Sequence, residues 1–79
     1  MAGYAILLHH DEMNSVHFVA EAIAPLFGYE KTQAYNCAYL MYNQGQYVAK
    51  RYKASEKCEA TNCLEALQQR GIPAEIIRL

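Results

Sequence analysis

The sequence predicts an α+β domain: one three-stranded sheet with helices packed on a single face, in the order β-α-α-β-α-β. Three observations carry this expectation. Short apolar runs of strand length stand near both ends, at residues 4–9 and 74–79. Between them lie stretches whose apolar residues recur at helical spacing. Gly28, Gly45 and Gly71 each stand where such a stretch stops. Strands interrupted by helices on this scale form a small sheet covered on one side.

Taken in order, residues 4–9 read as a buried strand. His10 to Asn14 is a polar turn, with Asn14 suited to cap the helix that follows. Over residues 15–27, Val16, Val19, Ala20, Ile23, Leu26 and Phe27 mark one helical face, with Pro25 expected to loosen its last turn. A second helix is predicted over residues 30–43. It carries one stripe of Ala34, Cys37, Ala38 and Met41 beside another of Tyr35, Tyr39 and Tyr42. Residues 46–52 read as a strand with a tyrosine at each end and Val48 inside. Residues 54–70 form the third helix, turning Cys63, Leu64 and Leu67 inward, and Pro73 precedes the last strand. The expected core is Ile6, Leu8, Phe18, Ile23, Phe27, Ala34, Val48, Leu64, Leu67 and Ile76.

At 79 residues the chain reads as one domain, 1–79, with no repeat or linker. Its 53% hydrophobic content excludes disorder, and no apolar run approaches the length of a membrane span. Seven Lys and Arg against eight Asp and Glu leave no basic face for nucleic acid; Lys50, Arg51 and Lys53 read as a solvated strand edge. Cys37, Cys58 and Cys63 have neither disulfide-framework nor zinc spacing. Three unpaired thiols point to the reducing cytoplasm. His9 and His10 are neighbours on a strand end and point apart, so no metal site is expected from them with His17, and no cofactor. No nucleophile-and-base pattern or phosphate loop is present, so no enzyme activity is expected.

The stretch from Leu7 to Val19, reading Leu-Leu-His-His-Asp-Glu-Met-Asn-Ser-Val-His-Phe-Val, resembles the opening of ClpS, the adaptor of the Clp protease. The resemblance continues through Leu26-Phe27-Gly28-Tyr29, Asn43-Gln44-Gly45 and Gly71-Ile72-Pro73. It implies an adaptor that binds polypeptides by a bulky N-terminal residue and passes them to an AAA+ unfoldase. A desolvated α-ammonium needs acceptors and negative charge around it. The resemblance puts His10, Asp11 and Tyr42 there, where the family has Asn, Asp and His. Glu12 and Asn14 match an Asp and a Thr that hold the peptide backbone, and both keep their hydrogen-bonding type. To accept from an ammonium His10 must be neutral, so binding is expected to weaken on the acid side of neutrality.

The side-chain pocket implied by the resemblance is lined by Val16, Ala38, Met41 and Ala74. Val16 and Ala38 replace methionines and Ala74 replaces a leucine. Those losses widen a pocket, whereas Tyr42, a ring in place of an imidazole, refills it. The first outcome admits β-branched side chains and the second admits nothing. On the third helix, Glu56 and Glu59 fall in the unfoldase-docking segment, with Glu59 where the family has a Lys. A reversed charge at a contact opposes the usual partner. Family members also use a flexible tail ahead of the first strand, whereas the strand here begins by Tyr4. That implies either a longer natural chain or another manner of delivery. The alternative function is an interaction module that kept the fold and lost the amine site. The fold is also similar to the C-terminal domain of the ribosomal stalk protein, which makes a translation-linked role a third reading.

Overall fold

Strand β1, Gly3–His9, runs through the middle of the computed structural model, which describes residues 3–79. It leads through a turn into α1, Val16–Phe27, and α2, Lys31–Gln44. Strand β2, Gln46–Lys53, returns beside β1; α3, Lys57–Gln69, and β3, Ala74–Arg78, complete the chain. Both neighbours pair with β1 antiparallel, in the order β2-β1-β3.

The period of two along β1 sends Tyr4, Ile6 and Leu8 into the helix-side core. Ala5 and Leu7 take the other face, Ala5 between Arg51 and Ile77, and Leu7 between Val48 and Glu75. On that face His9 Nε2 donates to Glu75 Oε2 at 2.6 Å. The register steps from Ile6↔Lys50 to Leu7↔Val48, leaving Ala49 as an extra residue in β2. The bulge keeps Ala49 in the core, and its carbonyl accepts from the Tyr29 hydroxyl.

One apolar cluster joins the layers: Ile6 and Leu8 from the sheet, Val19, Ile23 and Phe27 from α1, Ala34, Cys37, Ala38 and Met41 from α2, and Ala60 and Leu67 from α3. Small residues on α2 let that helix lie close to its neighbours. Burial pushes the Cys37 thiol up to about 11.

Several expectations change. Phe18 is 39% exposed instead of buried, because α1 turns Val19, Ala22 and Ile23 inward. Val48, Leu64 and Ile76 are half-buried. Ser15, not Asn14, caps α1: its Oγ accepts from Phe18 N at 3.0 Å. The helix runs through Pro25 to Phe27 and closes on Gly28, whose φ of 71° suits glycine. The third helical stretch divides into a 3₁₀ turn, Ala54–Glu56, and α3. There Glu56 Oε1 accepts from Lys53 N at 2.7 Å.

Candidate functional site

The polar turn between β1 and α1 is held from two sides. His10 N donates to Gly45 O at 2.8 Å, tying the end of β1 to the end of α2. Gly45 presents that carbonyl because it leaves the helix at φ 85°, a left-handed conformation natural to glycine. On the opposite side His9 N donates to Pro73 O at 3.0 Å, and Asn14 Nδ2 donates to Gly71 O at 2.9 Å. Turn, α2 terminus and the 71–74 segment therefore meet at one place.

Within the turn Asp11 works locally. Its Oδ1 accepts from Met13 N at 2.9 Å, and its carbonyl accepts from Asn14 N at 3.1 Å. This Asx-type closure holds the half-buried carboxylate with a second oxygen left for other donors. Glu12 and Met13 are exposed at the tip, and Asn14 is half-buried. Aspartate and asparagine suit this stretch because their short polar side chains satisfy nearby backbone groups.

His10 and Tyr42 meet directly. Their ring centroids stand 4.7 Å apart with planes at 84°, an edge-to-face contact. His10 Nδ1 is buried and has no hydrogen-bond partner, while Tyr42 is 50% exposed. The four apolar wall residues belong to one cluster but differ in access: Ala38 is 0% and Met41 1% exposed, whereas Val16 and Ala74 are half-buried.

The two residues of the docking segment separate. The Glu56 carboxylate is committed to the backbone at the start of the 3₁₀ turn, and Glu59 is exposed in the first turn of α3. Sequence reasoning passed over the carbonyls of Gly45 and Gly71, which hold the turn. Those glycines were legible as helix stops, and the carbonyl such a stop releases was the available signal. Elsewhere on α1, His17 is bonded to the Tyr35 hydroxyl and lies 3.2 Å from the Glu21 carboxylate. Among the described residues no group of three or more His, Cys, Asp or Glu is gathered for a metal, and no helix is long and apolar enough to cross a membrane.

The fold is a small mixed α+β domain whose 10–14 turn is braced against the end of α2 and the 71–74 segment. Residues 1–73 match the family model of the ATP-dependent Clp protease adaptor protein ClpS, and the chain belongs to that family. Its members are adaptors of the Clp protease and not themselves enzymes. Among solved structures, the chain is similar to Agrobacterium tumefaciens ClpS2, solved bound to L-phenylalaninamide. The TM-score is 0.74 over 98% of this chain and 94% of that one, at 14% identity, a likeness of fold. No individually curated protein matches in sequence.

Proposed function

We propose that this adaptor recognises the free α-ammonium of a substrate polypeptide at the 10–14 turn and hands the substrate to an AAA+ Clp unfoldase, with altered selectivity. The supporting observation is the bracing of the turn through His10 N to Gly45 O and Asn14 Nδ2 to Gly71 O. The same bracing joins the turn that carries the half-buried Asp11 carboxylate to the end of α2 and to the 71–74 segment. A carboxylate there supplies the charge an ammonium needs. Glu12 and Asn14 lie within the same turn and serve the peptide backbone, Asn14 through its side-chain oxygen. The family resemblance carries with it a bulky first residue as the ligand class and the cytoplasm as the compartment.

The test is a titration of short peptides with free and acetylated N-termini. Acetylation removes a charge and a donor. With charge-assisted bonds worth about 1.5–3 kcal/mol each, it weakens binding by about tenfold or more. Asp11→Ala does the same while the fold persists. Equal affinity for both peptide forms refutes amine reading. On the docking face, Glu59 weakens attachment to the usual unfoldase by about 1 kcal/mol or more at a desolvated contact, and Glu59→Lys restores it. Affinity unchanged by Glu59→Lys counts against that role.

A second reading, an interaction module without an amine site, draws on Tyr39 and Tyr42, which are 59% and 50% exposed. Exposed tyrosines suit a protein interface. Failure of every peptide to bind favours this reading.

A further inference from the structure

We infer that the cavity between α2 and β2 is a second binding site, one that takes a neutral single-ring aromatic ligand with an amide edge. It shares no residue with the 10–14 turn and does not depend on the amine reading.

The cavity follows from spacing along α2. Gln33, Asn36 and Cys37 recur at intervals that put them on one flank of the helix, and β2 closes the other side with Tyr47 and Ala49. The volume between them is about 190 Å³. Its floor is buried: Cys37 and Ala49 are each 6% exposed, and Ala49, the bulged residue, presents only a methyl group. Tyr29 and Tyr47 form half-buried walls, and Gln33 and Asn36 stand exposed at the rim. Tyr29 is fixed before any ligand arrives. Its backbone N donates to Ala24 O at 2.8 Å, its hydroxyl donates to Ala49 O, and its ring lies 5.5 Å from that of Phe27. A wall held in advance loses little freedom on binding.

The lining selects the ligand by size, charge and edge chemistry. A cavity of about 150 Å³ holds benzene, so 190 Å³ takes one ring with a small substituent. No lining residue carries a formal charge at neutral pH, and burial raises the Cys37 thiol to about 11, which keeps it protonated. An ionised ligand would lose water there and gain no counter-charge, so a neutral one is favoured. Two tyrosine walls favour an aromatic ring over a saturated one. The Gln33 and Asn36 amides each offer donors and an acceptor, the complement of another amide's edge.

The experiment is an NMR titration of the chain with nicotinamide, nicotinate and cyclohexanecarboxamide. The second replaces the amide by a carboxylate, and the third replaces the aromatic ring by a saturated one. Nicotinamide should bind with a Kd of about 1 mM or tighter, within reach of a ligand this small. It should shift the backbone signals of Cys37, Tyr47 and Ala49 and leave residues 10–14 unmoved. The other two should bind about fivefold or more weakly. A double variant, Gln33→Ala with Asn36→Ala, should weaken nicotinamide about tenfold, because it loses two neutral hydrogen bonds. Both positions are exposed on a helix, where alanine keeps the fold. In wild type, bound nicotinamide should also slow alkylation of Cys37 while that of exposed Cys58 is unchanged. Absence of shifts at Cys37, Tyr47 and Ala49 overturns the inference, as do shifts confined to residues 10–14. Equal affinity for nicotinate or for cyclohexanecarboxamide, or full affinity in the double variant, overturns it as well.

Discussion

The two stripes of α2 make opposite use of side-chain size. Ala34, Cys37, Ala38 and Met41 face the core at no more than 6% exposure each, while Tyr39 and Tyr42 on the neighbouring stripe stand half in water. Small inner residues let the helix settle against sheet and α1, so the volume inside is closely matched. Large outer residues have no such constraint. Tyr35 meets His17 across the α1–α2 seam, and Tyr42 meets His10 across the candidate site. One helix thus contributes packing from one stripe and exposed aromatic surface from the next. A substitution's effect should depend on which stripe it falls in.

Met41→Ala tests the inner stripe hardest. Truncating a buried methionine costs about 2–5 kcal/mol, depending on how far the surroundings collapse. Urea denaturation should show that loss as a lower midpoint, and a change below about 1 kcal/mol would mean the stripe is loosely packed. Ala38→Met, which adds the bulk that the family resemblance places there, should cost about 1–3 kcal/mol by overpacking. If it is neutral, the core around Ala38 is loosely packed.

Cys37 extends the comparison to pH. Burial raises its thiol to about 11, so the folded chain holds a proton that the unfolded chain releases in the ordinary thiol range. Its contribution to stability is complete below that range and is lost as pH rises toward about 11. Thermal melts of wild type and Cys37→Ala between pH 7 and 10 should show a steeper decline for wild type. Native alkylation should label exposed Cys58 first and Cys37 last. Smallest of all is Tyr39→Ala, expected within about 0.5 kcal/mol of wild type because half of that side chain already meets water. A loss several times larger would show that the outer stripe carries packing as well.

Much of the fold was legible in local pattern. Residues 4–9 form a short apolar run, the α2 stripe recurs at helical spacing, and Gly28, Gly45 and Gly71 stop the helices, each now seen with φ above 70°. The candidate site was legible only through its similarity to a known family; nothing in its spacing alone brings His10 to Tyr42. Phe18 shows why pattern fails at an edge: it neighbours a core position, but α1 turns Val19, Ala22 and Ile23 inward and leaves Phe18 partly in water. Asn14 shows competition between two good caps. Ser15, one residue on, takes the helix, and the Asn14 side chain is freed to reach Gly71.

By itself, then, the sequence determined the element order, the helix ends and the inner stripe of α2. These follow from side-chain periods of two and 3.6 and from the left-handed freedom of glycine, all local properties. Only the tertiary structure decided that β1 lies between β2 and β3, that Ala49 bulges, that Glu56 is committed to the Lys53 backbone, and that the Ala38 and Met41 wall is closed. Each of these depends on which distant segments come to rest on one another. His10 reaches Tyr42 because a backbone bond to Gly45, thirty-five positions along the chain, brings them together.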